Sequence, residues 1–308
     1  MSTETTAPGT TAPPTGGGAP TAAAEAKNRL TSPWASLAAI VIATLWTVPT
    51  AGLLISSLRP VDDVRDSGWW TFFTDPNVTL DNYDAVLNDE NTDLATFFVN
   101  SIVITLPAVL IPITLATLAA YAFAWMKFPG RDALFVAVFA MQIVPIQVTM
   151  IPLLQLFVDG DVSGRLGAFW PIWIAHSAFA LPLAIYLLHN FMKEVPNELI
   201  EAARVDGAGH VKIFTKIMLP LMTPAIAAFG IFQFLWVWND LLVALVFGGG
   251  NLEVSPLTVR LAELSGTRDQ DWHLLSAGAF VSLVIPLIVF LSLQRYFVRG
   301  LLAGGVKG

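Results

Sequence analysis

Apolar residues fall into six long runs along this chain, and the charged residues gather between them. The runs free of Asp, Glu, Lys and Arg are Leu30 to Leu58, Leu94 to Met126, Ala133 to Val158, Leu166 to Met192, Ile217 to Asn239 with an apolar continuation to Phe247, and Leu274 to Gln294. At 1.5 Å per helical residue each can cross a hydrocarbon core roughly 30 Å thick, whereas a buried helix of a soluble protein gives about 10 to 14 apolar residues. Six in succession predict an all-α membrane protein with transmembrane helices over about 35–57, 97–124, 133–157, 167–191, 222–247 and 274–294. Residues 1–30 are rich in Thr, Ala, Pro and Gly and hold too little apolar surface to fold. They predict a disordered cytoplasmic tail ahead of a six-helix transmembrane domain over 31–308. No basic start, short apolar core and cleavage site precede the first run, so it reads as a retained span and not as a signal peptide.

Prolines interrupt four of the runs, at Pro107 and Pro112, Pro145 and Pro152, Pro171 and Pro182, and Pro286. Each removes a backbone donor and tends to kink its helix. Two readings fit. Broken helices survive in a membrane where they line a water-filled cavity, as on a translocation path, and proline is in any case commoner in membrane helices than in soluble ones.

The polar interludes alternate in character. With the amino terminus on the cytoplasmic side, 11 of the 16 basic residues fall inside, among them Lys127, Arg131, Lys193, Arg204, Lys212 and Lys216. The Lys/Arg bias sets topology, so both termini are expected in the cytoplasm. The longest outer interlude, Arg59 to Asp93, carries nine acids together with Trp69, Trp70, Phe72 and Phe73, and reads as a cap or a partner surface.

Between the fourth and fifth runs, "VPNELIEAARVDGAG" predicts a short helix with Asn197 as its cap, acids in its first turn and Gly207 as its stop. Leu199, Ile200 and Ala203 share one face. Glu201 and Arg204 are spaced to pair on another. After Gly209, "HVKIFTKIMLP" predicts a second short helix with Val211, Phe214, Ile217 and Met218 on one side, ended or kinked by Pro220. This amphipathic hairpin fits a lipid surface as well as a protein surface.

Composition narrows the chemistry. Hydrophobic residues make up 55% and charged ones 13% of the chain, with a mean hydropathy of +0.66, well outside the soluble balance. The net charge of -7 argues against a nucleic-acid partner. There is no cysteine, no G-x-x-x-x-G-K-[ST] phosphate loop and no His/Glu spacing suited to a metal, so no catalytic and no metal-binding residue is assigned. An ion-coupled secondary transporter of a small solute is the main alternative, but such carriers place ionisable groups at the midplane, and these runs hold almost none.

The loop also resembles a known family, the inner-membrane permease subunits of binding-protein-dependent ABC importers, whose signature is EAA, three residues, Gly, nine residues, Ile, one residue, Leu-Pro. Here Glu201, Ala202, Ala203, Gly207, Ile217, Leu219 and Pro220 stand at every one of those spacings. "FLWVWNDLLVAL" at 234–245, "QRYFVRGLLAGGVKG" at 294–308, "LDNYDAVL" at 80–87 and "FVNSIVIT" at 98–105 resemble the carbohydrate branch, of the maltose-type second permease subunit. Only the amino-terminal tail departs from that likeness.

The resemblance implies the type I ABC importer permease fold, in a bacterial cytoplasmic membrane, working by alternating access in an ATP-driven importer of sugar, oligosaccharide above all. It implies a second permease subunit as heterodimer partner, an ATPase subunit dimer that binds ATP and Mg, an extracytoplasmic sugar-binding protein and membrane lipid, with no cofactor in this chain. Glu201 would contact the ATPase, Ala202 and Ala203 would permit close approach, Asp206 and Gly207 would form the turn, and Ile217, Leu219 and Pro220 would anchor the loop. The segment from Gly300 to Gly308 would reach toward the ATPase dimer, although a frayed terminus has the same composition. Trp236, Trp238, Asn239 and Asp240 are candidates for the sugar path, with Trp170, Trp173 and His176 behind them. An interfacial aromatic belt or a structural cap would use the same residues.

Overall fold

The computed structural model describes residues 33–89, 92–266 and 271–305, except for the side chains of 295–305. The expected tail over 1–30 lies outside the described residues, as do Gly300 to Gly308 in their side chains and in their last three positions. All regular structure among the described residues is helical.

The described residues up to Gly52 and those from Leu53 belong to two separate units. Helix α1, Pro33–Ser57, supplies the described part of the first unit and continues into the second. The second unit then runs through α2 (Val61–Asp66), a 3-10 turn at Trp69–Phe73 and α3 (Asp81–Asn88) to the long helix α4 (Leu94–Trp125). Next come α5 (Arg131–Ala140), α6 (Ile146–Asp159), α7 (Val162–Leu166) and α8 (Trp170–Lys193). The loop helix α9 (Asn197–Val205) precedes α10 (His210–Ile213), a π turn at Phe214–Met218 and α11 (Leu219–Trp238). Helices α12 (Leu242–Gly248), α13 (Leu257–Gly266) and α14 (Trp272–Gly305) complete the chain.

Two expected spans differ from single helices, each for a local reason. The third is broken by 104° between Arg131–Ile143 and Ile146–Asp159. Proline disfavours helical backbone in the residue before it; Val144 is extended, with φ -74° and ψ 122°, and Pro145 starts the next helix. The bend leaves a cavity of about 200 Å³ lined by Gln142 and Thr149 and, from α8, by Phe179 and Pro182. The fifth span ends at Trp238 and restarts at Leu242. There the Asp240 carboxylate accepts the amides of Val243 at 3.3 Å and Ala244 at 3.0 Å, so an acid that caps a new helix has displaced continuation of the old one. At Pro107, Pro112, Pro152, Pro182 and Pro286 the helices continue, and Pro171 occupies the first turn of α8, where its missing donor costs nothing.

Small residues set the main packing. Ala108, Ala116 and Ala120 recur at multiples of four along α4, and Ala175, Ala180 and Ala184 follow the facing side of α8; all six are fully buried. With lipid as apolar as leucine, close approach at such small residues is what favours helix association. Gln233 on α11 is 1% exposed and donates to the Ala108 carbonyl at 3.3 Å, which ties α11 to the same seam. Helix α14 meets α3, α4 and α11 around Val86, Leu94, Phe234, Trp238, Leu257 and Ala277.

At Gly278 this last contact is tightest: an added Cβ would lie 2.8 Å from Leu261 Cδ2 and 3.2 Å from Leu94 Cδ2. Gly278→Val forces those leucines off their rotamers and should destabilise the protein by about 1–3 kcal/mol. A lowered apparent Tm in detergent checks this, with an unchanged Tm as the contrary result.

Candidate functional site

The loop between α8 and α11 takes its shape from a helix stop. Gly207 has φ +78°, the left-handed region, and its amide donates to the Arg204 carbonyl at 3.0 Å while the Ala208 amide donates to Ala203 at 2.9 Å. These are the two bonds of a Schellman ending, which closes α9 and turns the chain sharply. The space beside Gly207 is open, so the demand for glycine comes from the backbone alone. Pro196, not Asn197, holds the N-cap position of α9, and Asn197 is its first helical residue.

One side of the loop is fixed and the other is free. Ile200 is 1% exposed and Ile213 is 1% exposed, both packed with Met218 against Ala120, Tyr121, Phe123 and Ala124 of α4 and Leu188 and Met192 of α8. On the other side Glu201, Ala202, Arg204, Asp206 and Gly207 are exposed and Ala203 is half-buried. Glu201 and Arg204, spaced to pair, form no ion pair, so both charges stand open. Val211 is 78% exposed, contrary to its expected place on the apolar face; that place belongs to Ile213, two positions on. Val205 is 87% exposed, so an apolar knob flanks the charges on the free side.

The second short helix expected at 210–220 is instead the start of the fifth span, continuous from His210 to Trp238. Pro220 does not end it. A proline ring clashes with the carbonyl four residues back, here that of Lys216. The chain widens to a π turn just before it, where the Leu219 amide reaches the Phe214 carbonyl five residues back. Ile217 and Leu219 are half-buried on this stretch, while Pro220 is exposed.

A polar contact joins the loop to α4. The Tyr121 hydroxyl lies 3.0 Å from His210 Nδ1 and 3.3 Å from the His210 carbonyl oxygen, and its ring meets Phe214 edge-on at 5.1 Å. His210 is one of four histidines in the chain, none of them in a metal-binding spacing. Nothing in the local pattern ties it to a tyrosine 89 positions earlier.

The candidates for a sugar path meet only in pairs among the described residues, Asp240 with His176 and Trp170 with Trp173, and do not gather into one site. Trp238 is 4% exposed, stacks on Phe234 at 5.6 Å and donates through Nε1 to the Ser282 carbonyl, so it is a packing residue. Asp240 caps α12, and its Oδ2 lies 3.7 Å from His176 Nε2, both groups being buried. Asn239 is exposed and turns back to the carbonyl of Leu235 at 2.8 Å, while Trp236 is half-buried beside Phe232. Trp173 donates to the Val103 carbonyl at 3.0 Å, again a link between helices.

Comparison with known proteins places this architecture. Residues 108–302 match the family described as "Binding-protein-dependent transport system inner membrane component". The osmoprotective compounds uptake permease protein GgtD of Synechocystis sp. is 54% identical, covering 91% of this chain and 95% of that protein. The alpha-glucoside transport system permease protein AglG of Rhizobium meliloti is 40% identical, over 89% and 97%. A chain from the crystal structure of a bacterial ABC transporter for import of the acidic polysaccharide alginate superposes with a TM-score of 0.73 at 22% identity, over 88% and 98%, which bears on the fold alone. The chain belongs to the family of inner-membrane permease components of binding-protein-dependent ABC importers.

Proposed function

We propose that this permease subunit imports sugars or glycosides across the bacterial cytoplasmic membrane, and that α9 with its glycine turn is the surface on which an ATPase subunit docks. The observation that carries the docking reading is the two-sided loop: Ile200 and Ile213 are buried while Glu201, Arg204, Val205 and Asp206 are exposed, the charged ones with no ion pair among the described residues, on a helix too short to be stable alone. A hairpin resting on lipid would turn its apolar side outward and its charges to water. Here the buried apolar side faces the protein's own helices, which leaves a free surface of mixed charge with an apolar knob, suited to a protein cleft.

The remaining assembly follows from that reading. A second permease subunit completes the pathway, an ATPase dimer binds ATP and Mg, and a sugar-binding protein delivers substrate on the opposite face; both termini lie in the cytoplasm. This chain supplies no cofactor site and no catalytic group. ATP acts by favouring one of two global states through contacts made only there, and the loop transmits that preference. Glycoside as substrate class is supported by the alpha-glucoside relative. Trp236 and Asn239 keep open surface and are the two proposed sugar-path residues of the original four, whereas Trp238 and Asp240 act on the fold.

Glu201→Ala in the reconstituted complex should lower sugar uptake at least about ten-fold at unchanged membrane abundance, the effect of losing a charge-assisted contact at an interface. Uptake that persists without ATP and follows a proton gradient sinks the reading. Gly207→Ala places a side chain in left-handed backbone at about 1–2 kcal/mol. Faster amide exchange over 203–210 and weaker ATPase association are expected, and Gly207→Asn, which tolerates that conformation, should restore part of both.

A further inference from the structure

Three helices bear directly on the loop, but the chain connects it to only two. Helix α8 leads into α9 through Glu194 to Pro196, and α10 continues into α11 as one helix. Helix α4 is reached only across space, through apolar packing and through Tyr121. The driving force for apolar packing by Ala120, Phe123 and Ala124 is non-directional, so it fixes the register of the helices less sharply than a hydrogen bond does. A hydrogen bond fixes register.

The geometry at Tyr121 is specific in this way. When Nδ1 of His210 carries its proton, Nδ1–H donates to the tyrosine oxygen while the tyrosine O–H donates to the His210 carbonyl, so both contacts, at 3.0 Å and 3.3 Å, form together. That carbonyl belongs to the first residue of α10, immediately after the glycine turn, and Tyr121 is 5% exposed in the α4 seam. The Tyr121 ring is held edge-on between His210 and Phe214, at 5.9 Å and 5.1 Å, and Phe214 opens the π turn. The pair thus lies where the turn, α4 and the widened start of the fifth span meet.

We propose that Tyr121 and His210 are positioning residues for energy coupling: they clamp the loop to α4, so that displacement of α9 by the motor moves the second span together with the fourth and fifth. The inference rests on α9 being the docking surface. The rival role for the bond is to satisfy a buried hydroxyl, as most buried hydroxyls are satisfied. That role affects assembly and stability. It does not change the number of substrate molecules moved per ATP.

The test measures sugar transported per ATP hydrolysed by the assembled complex in proteoliposomes, with the sugar-loaded binding protein outside, for the parent, Tyr121→Phe, His210→Ala, the double variant and Glu201→Ala. Tyr121→Phe keeps the ring against Phe214 and removes only the hydroxyl. The ratio should fall at least about five-fold for Tyr121→Phe, the effect on an equilibrium of losing one neutral hydrogen bond, since this variant loses both contacts of the hydroxyl. The double variant should be no worse than Tyr121→Phe alone, because that variant already removes both contacts, whereas His210→Ala removes the ring contact and keeps the one to the backbone carbonyl. If Tyr121→Phe fails to assemble, His210→Ala, at an exposed position, decides in its place. A parent-like ratio for Tyr121→Phe alongside lost Glu201→Ala uptake overturns the clamp and leaves the docking reading standing. Parent-like uptake and ratio in both overturn the docking reading and the clamp with it.

Discussion

Where backbone leaves helical geometry in an apolar solvent, something must take up the freed amides and carbonyls, and this constraint organises the second unit of the chain. Buried polar side chains do that work. Asn100 on α4 donates to the carbonyls of Glu253 and Ser255, and Ser101 beside it accepts the Leu257 amide, which pins the non-helical entry to α13. Asn82 on α3 donates to the carbonyls of Ser57 and Arg59 where α1 ends. Trp173 and Trp238 aim their Nε1–H groups at Val103 and Ser282 of neighbouring helices. Each such bond adds only about 1 kcal/mol net, but leaving the same group buried and unpaired costs about 1–3 kcal/mol, so these contacts act mainly by excluding alternative arrangements.

The same constraint explains which irregularities are permitted. The break after Trp238 persists because Asp240 caps the restart and because Thr258 donates to the Asp240 carbonyl. The break before Pro145 leaves a cavity beside α8, and the π turn before Pro220 keeps the helix unbroken at the cost of one wider turn. Both breaks lie in helices packed against α8, which itself remains unbroken from Trp170 to Lys193 and runs straight to the loop.

The number of apolar runs, the short loop helix and the stop at Gly207 were legible from hydropathy and turn chemistry, because each depends on residues within a few positions of one another. What was not legible depends on distance in sequence. Apolar periodicity placed Val211 inward beside Met218, but the phase of α10 follows from its continuation into the fifth span, which keeps Met218 inward and brings Ile213 in where Val211 was expected. Trp238 and Asp240 looked like ligand groups by residue type. Only the tertiary structure reveals that one carbonyl, at Ser282, and two amides, at Val243 and Ala244, use their polar atoms. Pairing of Glu201 with Arg204 was a matter of spacing, and solvent competes successfully for an exposed pair of that kind.

A loop that transmits force must be held more firmly than the force it transmits. Coupling between sites in allosteric proteins is typically about 1–3 kcal/mol. Ile200, Ile213 and Met218 are each almost completely buried, and full burial of such a side chain is worth about 1.5–3 kcal/mol. Even discounted for a compact unfolded reference, three of them exceed the coupling energy. Displacement of α9 is then met more cheaply by moving the helices beneath it than by pulling the loop off them. The weaker element is the direction in which they move, because the driving force for apolar packing opposes separation more than it fixes register. Directional contacts fix register, and at this end of the fold the Tyr121 hydroxyl supplies one to the first residue after the turn.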